Sequence, residues 1–270
     1  MSSPDAGLIR QSIAAESRTQ LDELEVFRSI TSTNTYLMSQ PPPPAGRFRV
    51  AIANRQFSGR GQHYRRWLSP PGAGLYLSFA YSFAKQPENV SSLTLAIGVG
   101  VVDALQSLGI TGVSLKWPND IVALDGKLGG ILTEMQSRLT QGVTIVTGVG
   151  INLVLPADVE NKIESHWAAR TVDLAAICGE LPETSKIAAA CVDQLYTVMR
   201  KFESHGFGGF MEHWSEHDWL NRRQVIVDQA DEQVSGIAAG VDTDGALLVE
   251  TDAGKTRIVS GSVMLAGLAA

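Results

Sequence analysis

The order of apolar and polar positions along the chain predicts a protein that mixes strands and helices. Short alternating or continuously apolar segments predict β-strands at 25–30, 48–53, 75–83, 113–117, 121–124, 128–136 and 144–149. Longer segments with helix-start and helix-stop residues predict α-helices at 5–17, 32–40, 91–109, 183–205 and 210–220. Asp125-Gly126 predicts a hairpin turn between two of the strands.

The pattern changes after Arg223. Short alternating segments follow at 225–228, 234–241, 246–250 and 256–259, with turn sequences at Asp244-Gly245 and Ala253-Gly254 between them. Such a tail is typical of a small β-barrel. We therefore expect one domain over residues 1–222 and a second over residues 223–270.

Composition narrows the class of protein. The chain has 270 residues, 44% of them hydrophobic, and a formal net charge of -6, so nucleic acid is not the expected partner. Cys178 and Cys191, both on predicted helices, indicate neither a disulfide framework nor a metal site. No signal peptide is evident, and the longest apolar segment, 93–108, contains Asp103 and favours a buried helix. We expect a cytoplasmic protein that does not enter a membrane.

A long polar segment at 55–74 interrupts the predicted strands. It contains Gly59-Arg60-Gly61, followed by Arg65-Arg66. Glycines allow backbone N–H groups to approach a phosphate, and arginines pair with its oxygens. A long loop with this composition is consistent with an anion site, although a solvated basic turn has the same composition.

Two lysines stand at the ends of predicted strands. Lys116 ends an apolar strand, where burial without an anion would be costly, unless its side chain reaches solvent. Lys127 precedes Gly129-Gly130, and glycines inside a strand indicate that another group approaches the backbone closely. A Gly-x-Gly at 148–150 repeats that feature but is more often a packing device.

Taken in order, five sequence blocks resemble the motif series of biotin protein ligases. The blocks are Ser32-Thr33-Asn34, Gln56 with Gly59-Arg60-Gly61 and Trp67, Lys116-Trp117-Pro118-Asn119-Asp120, Lys127-Leu128-Gly129-Gly130-Ile131-Leu132, and Gly148-Val149-Gly150-Ile151-Asn152. The resemblance implies an α+β catalytic domain, with a mixed β-sheet and helices on one side, related to class II aminoacyl-tRNA synthetases. It also implies a small SH3-like β-barrel after that domain.

The family activates biotin with ATP and then transfers it to a lysine of a biotin carboxyl carrier protein. The resemblance implies catalytic roles for Lys116 and Arg60, and Mg²⁺ bound with ATP. The implied biotin-binding residues are Ser32, Thr33, Asn34, Gln56, Arg60, Gly61, Gln62, Lys116, Gly148 and Gly150. The implied ATP-binding residues are Arg60, Lys127, Asn119, Asn152 and Trp167. No metal ligand is assigned, and Asp120 is a candidate for a metal-side residue.

Several of these assignments have structural alternatives. Ser32 also suits the cap of the following helix, and Trp167 is equally typical of a core residue. Gln62 stands where some relatives carry a positive side chain, so we expect somewhat looser retention of the adenylate.

The nearest alternative functions are a lipoate-type ligase of the same superfamily and a non-catalytic biotin sensor. The 31 residues before Ser32 are too few for a helix-turn-helix domain, so we expect the monofunctional class without DNA binding. We expect a monomer or a weak homodimer.

Overall fold

The larger part of the fold is a seven-stranded sheet with helices. The computed structural model of the chain describes residues 3–62, 65–137, 142–156, 171–229 and 232–266. The first nine strands are β1 (Leu21–Phe27), β2 (Phe48–Ala53), β3 (Gln56–Arg60), β4 (Arg66–Ser69), β5 (Gly74–Phe83), β6 (Val113–Lys116), β7 (Asp120–Ala123), β8 (Gly126–Ser137) and β9 (Val143–Asn152). The described α-helices are α1 (Ala6–Ser12), α2 (Ala15–Gln20), α3 (Thr33–Ser39), α4 (Leu93–Ser107), α5 (Thr184–His205) and α6 (Met211–His217).

The strand order of the sheet is β1-β2-β5-β9-β8-β7-β6. β1 pairs with β2 in parallel, and every other pair in this sheet is antiparallel. The sequence prediction of an α+β fold with a mixed sheet is confirmed.

The two faces of the sheet are used differently. Alternate residues of β5, such as Leu77 and Phe79, enter the main core together with the buried residues of α4 and α5. The residues between them face the other way, where Ala80 packs with Leu37 of α3. The expectation of helices on one side only is therefore wrong, because α3 covers part of the second face. That second face carries the candidate site.

Three local predictions differ from the structure for identifiable reasons. The helix expected at 5–17 is two helices, because Ile13 turns into the core with an extended backbone and is 1% exposed. The loop expected at 55–74 contains the antiparallel pair β3–β4. The hairpin turn lies one residue earlier than expected, at Leu124 and Asp125, whose φ angles are 49° and 54°.

The C-terminal residues form a separate five-stranded sheet. Its strands are β10 (Gln224–Asp228), β11 (Gln233–Val241), β12 (Leu247–Thr251), β13 (Gly254–Ile258) and β14 (Ser262–Leu265). The order is β13-β12-β11-β10-β14, and all neighbouring strands are antiparallel. The sequence prediction missed β14, because four residues after Gly261 are too short to show alternation. Cys178 follows a short 3₁₀ turn rather than lying in a helix, whereas Cys191 is buried in α5.

One helix among the described residues is long and apolar enough to cross a membrane. The segment Val90–Ser107 has a mean hydropathy of 1.4, and 67% of it is buried inside the protein. It packs against α5 and β8 as part of the core. The sequence prediction that 93–108 is a buried helix is confirmed.

The backbone of Asp218 and Trp219 closes the free edge of β6. Asp218 forms a parallel bridge with Leu115, and the next residue, Trp219, donates its N–H to the Leu115 carbonyl at 2.8 Å. Asp218 Oδ1 accepts a hydrogen bond from the backbone of Leu220 at 2.9 Å, but Oδ2 is buried with no partner among the described residues. Burial raises the pKa of Asp218 to about 6.

We predict that Asp218→Asn stabilises the protein at alkaline pH. Aspartate in an unfolded chain has a pKa of about 3.9, so the folded state binds this proton more tightly. The tighter binding of this proton by the folded state therefore stabilises the protein at pH 4, and this stabilisation is lost as the pH rises through about 6. Neutral asparagine removes this loss, and the free energy of unfolding should rise by about 2 kcal/mol at pH 8 but hardly at pH 4. Denaturant unfolding at both pH values measures it, with the exposed Asp252→Asn as control; equal effects at the two pH values would refute the assignment.

Candidate functional site

The register of the sheet aligns the residues of the site across five strands. Tyr76 of β5 lies opposite Gly150 of β9, which lies opposite Gly130 of β8. Gly130 pairs in turn with Asp120 of β7, and Asp120 with Lys116 of β6. Paired residues of adjacent strands share a face of the sheet. The two glycines therefore leave a trough between Tyr76 and the Lys116–Asp120 pair.

A cavity of about 430 Å³ opens over this trough. The sequence-predicted residues that line it are Ser32, Thr33, Asn34, Gln56, Arg60, Gly61, Gln62, Lys116, Asn119, Asp120, Lys127, Gly148, Gly150 and Asn152. Trp167 lies outside the described residues. Residues far apart in the sequence thus meet at one cavity.

The charged part of the cavity wall consists of two lysines and one aspartate. Asp120 lies 3.7 Å from the ammonium group of Lys116 and 2.6 Å from that of Lys127. Lys116 is 2% exposed, and burial lowers its pKa to about 8, although Asp120 opposes the shift. These three groups carry one more positive than negative charge when both lysines are protonated. Such a wall favours an anion.

The opposite end of the cavity is a network of neutral polar groups at the start of α3. Ser32 caps the helix by accepting a hydrogen bond from the N–H of Thr35 at 3.4 Å, so its capping role is real. Ser78 of β5 donates to Asn34 Oδ1 at 2.5 Å. Gln56 Oε1 accepts from the backbone N–H of Thr33 at 2.8 Å. This end is suited to a neutral ligand group with several donors and acceptors.

Glu134 of β8 connects that network to Arg60. One carboxylate oxygen lies 2.8 Å from Arg60 Nη2, and the other accepts from Asn34 Nδ2 at 3.0 Å. Arg60 therefore projects from the end of β3 toward the cavity while it is paired with a carboxylate. Glu134 was not among the predicted site residues, because an acidic residue in a half-exposed strand position has no distinctive local signal.

Trp67 of β4 lies over the glycine trough. A Cβ atom on Gly150 would stand 2.6 Å from its indole ring, and one on Gly148 would stand 2.6 Å from Asn34 Oδ1. The glycines were expected to permit close approach of another group and to line the biotin site. The groups that approach them are the side chains of Trp67 and Asn34, and the two glycines also line the cavity.

Two polar atoms of residues that line the cavity have no hydrogen-bond partner in the part of the chain that the structure describes. They are the indole Nε1 of Trp67 and the hydroxyl of Thr171, and both are buried. Leaving such groups unpaired is costly. Their position in this wall is consistent with groups that a ligand or water would satisfy.

The described residues do not form a protein-held metal centre. No group of three or more His, Cys, Asp or Glu side chains among them is arranged to hold a metal ion. Asp120 is occupied by two ammonium groups, and Asn119 directs its amide N–H to the carbonyl of Ile131 at 2.8 Å. The two ion pairs of Asp120 do not suit the metal-side role expected for this residue.

The cavity also includes residues that sequence patterns could not associate with it. Gly261, Ser262 and Val263 of the C-terminal sheet line it, and nothing in their local sequence indicates this contact. Ser78 had a usable signal, because it is a polar residue at a fully buried position of a mostly apolar strand.

Comparisons with known proteins match both parts of the chain to biotin ligase families. Residues 26–152 match the model of the biotin/lipoate A/B protein ligase family, and residues 223–265 match the biotin protein ligase C-terminal domain. The chain is 35% identical over 239 residues to the bifunctional ligase/repressor BirA of Salmonella typhimurium, covering 87% of this chain and 72% of that protein. It is 28% identical over 246 residues to the biotin–[acetyl-CoA-carboxylase] ligase of Mycobacterium tuberculosis, covering 88% and 86% of the two chains.

A solved structure shares the fold over nearly the whole chain. The biotin protein ligase from Aquifex aeolicus in complex with biotin and ATP superposes with a TM-score of 0.76 at 26% identity. The match covers 91% of this chain and 100% of the other.

We predict that Gly150→Ala disrupts the cavity wall. The added methyl group would displace the Trp67 indole, which should lower the free energy of unfolding by about 1–3 kcal/mol and weaken biotin binding. Thermal unfolding and calorimetric titration with biotin measure the two effects. Gly179→Ala is the matched control, because a Cβ atom there meets nothing within 4 Å. Parental stability and affinity in Gly150→Ala would refute the packing role.

Proposed function

This chain belongs to the biotin protein ligase family, and we propose that it activates biotin with ATP and transfers it to a carrier protein. The observation that carries the proposal is the cluster of buried Lys116 and Asp120 with the partly exposed Lys127, which shares one cavity with a neutral polar network. These two parts of the cavity match the chemistry of the substrates. Biotin has a neutral ureido head, and it has a carboxylate that must meet the triphosphate of ATP.

In the first step, a carboxylate oxygen of biotin attacks the α-phosphorus of ATP. The new bond gives biotinyl-5′-adenylate, and the bond to the β-phosphate breaks to release pyrophosphate. Two negatively charged groups must approach each other, and fixed positive charge in a partly dehydrated site lowers the energy of that approach. We assign this work to Lys116 and Arg60, which line the same cavity, and assign Lys127 to the nucleotide phosphates.

The guanidinium group of Arg60 has two alternative partners in this proposal, the Glu134 carboxylate and an anion of the substrates. When an anion enters the cavity it competes with the Glu134 carboxylate for the guanidinium group. Glu134 also holds Asn34, so Arg60 and the ureido-binding end of the cavity are linked through one side chain.

In the second step, the neutral amine of a carrier lysine attacks the acyl carbon of the adenylate. An amide forms, AMP leaves, and the amine loses a proton to solvent or to a nearby base. The partner is the biotin carboxyl carrier protein of acetyl-CoA carboxylase. Magnesium accompanies ATP as part of the co-substrate rather than as a resident ion of the described residues.

Biotin recognition is assigned to the network at the start of α3. Ser32, Thr33 and Asn34 are each 3% exposed and line the cavity, and Gln56 holds the backbone of Thr33 in place. The polar character of this end favours the ureido ring of biotin over the apolar dithiolane of lipoate. Gly61 and Gln62, which also line the cavity, are assigned to biotin as well. Asn119 and Asn152 line the cavity and are assigned to ATP. The ATP role of Trp167 stays a prediction, because this residue lies outside the described residues.

The proposal also covers the domain boundaries, the localisation and the oligomeric state of the protein. The catalytic domain is assigned to 1–222 and the C-terminal domain to 223–270. The described residues before Ser32 form α1, α2 and β1 and pack on the catalytic core. We propose a cytoplasmic enzyme that is a monomer or a weak homodimer, and looser retention of the adenylate owing to Gln62 stays a prediction.

An assay with a carrier tests the function. The protein is incubated with ATP, Mg²⁺, an apo-carrier domain and either biotin or lipoate. The mass of the carrier is then measured by mass spectrometry. We expect the mass of the carrier to increase by one biotinyl group. The increase should require ATP, and it should occur with biotin but not with lipoate.

Each other outcome identifies a rival. A lipoyl mass increase would indicate a lipoate-type ligase. Binding of biotin without adenylate or transfer would indicate a sensor. Either result would overturn the proposal, and a carrier whose acceptor lysine is changed to arginine controls for nonspecific labelling.

A further inference from the structure

The turn that follows Lys116 is fixed from the C-terminal sheet. Residues 117–119 connect β6 to β7, and Lys116 and Asp120 stand at its two ends as paired residues. Trp117 is 2% exposed, and its indole Nε1 donates a hydrogen bond to the carbonyl oxygen of Gly245 at 2.9 Å. Gly245 lies between β11 and β12, more than one hundred residues away in the sequence.

The acceptor of that hydrogen bond is itself rigidly held. Asp242 accepts hydrogen bonds from the backbone N–H groups of Asp244 and Ala246, both at 2.9 Å. Arg257 of β13 pairs with Asp242 and also with Asp244, the latter at 2.9 Å. The Gly245 carbonyl therefore belongs to a turn with little freedom of its own.

This turn is also seated on the catalytic part of the chain. A Cβ atom on Gly245 would stand 2.6 Å from Ser92 at the start of α4, so only glycine permits this approach. Asn89 donates a hydrogen bond to Asp244 at 2.7 Å. The Gly245 turn thus packs against α4 and Trp117 together.

We propose that Trp117 is a positioning residue through which the C-terminal sheet fixes Lys116 and Asp120 in the cavity wall. Its ring and N–H hold the turn between β6 and β7 from the side opposite the substrates. A change of its position moves the ends of both strands, and with them the two charged groups. The network around α3 binds at the other end of the cavity and does not depend on this turn.

The inference rests on the proposed function and makes a separate prediction about rate. Trp117→Phe keeps an aromatic ring but removes the N–H donor. We expect the rate of adenylate formation to fall about fivefold to tenfold, as the loss of one hydrogen bond that orients a charged group would cause. The dissociation constant for biotin should stay within about twofold of the parent.

The control is another buried tryptophan. Trp214 is also 2% exposed, but its Nε1 has no hydrogen-bond partner among the described residues. Trp214→Phe therefore makes the same chemical change in the core without cutting a link to the site. It should retain the parental rate of adenylate formation.

The experiment is a single-turnover measurement of biotinyl-adenylate in the full-length chain. Biotin titration counts the folded sites, so partial unfolding of a variant does not imitate a lower rate. A slower step in Trp117→Phe only, at unchanged biotin affinity, supports positioning. A parental rate in Trp117→Phe, or equal losses of rate in both variants, overturns it. A parent chain that makes no adenylate would instead refute the proposed function.

Discussion

The ion pairs of Asp120 with Lys116 and Lys127 hold two positive charges in the wall of a partly dehydrated cavity. Burying an ammonium group is costly, and here the cost is reduced by a carboxylate that two lysines share. The arrangement depends on β6, β7 and β8 being in register, since a shift by one residue would turn these side chains to the other face. The fold can therefore be described as the scaffold that keeps this cluster charged, aligned and next to a neutral binding region.

The two faces of the sheet have different roles, since one contributes to the stability of the fold and the other carries the candidate site. The face covered by α4 and α5 contributes the main hydrophobic core, and the opposite face carries α3, the glycine trough and the cavity. Polar residues such as Ser78 are tolerated in central strands because they make hydrogen bonds to the start of α3. The C-terminal sheet adds to the site in two ways, by lining the cavity with residues 261–263 and by holding the turn after Lys116.

Much of the fold could be predicted from the sequence, because most strands and helices have regular apolar patterns. The site residues with a local signal were also found, since lysines at strand ends and glycines inside strands are unusual. Glu134 and Gly261 could not be found, because their importance comes from distant segments that meet only in the folded chain. The group that approaches Gly150 could not be identified for the same reason, as the ring of Trp67 comes from another strand.

The central claim is that a buried positive charge at Lys116 allows the biotin carboxylate to meet the α-phosphate of ATP. The most direct measurement is biotin-dependent exchange of labelled pyrophosphate into ATP, compared between the parent and Lys116→Met, which retains much of the side-chain volume without the charge. The account predicts that exchange falls by about 100-fold or more in a variant that remains folded and still binds biotin. Exchange at the parental rate in that variant would contradict it.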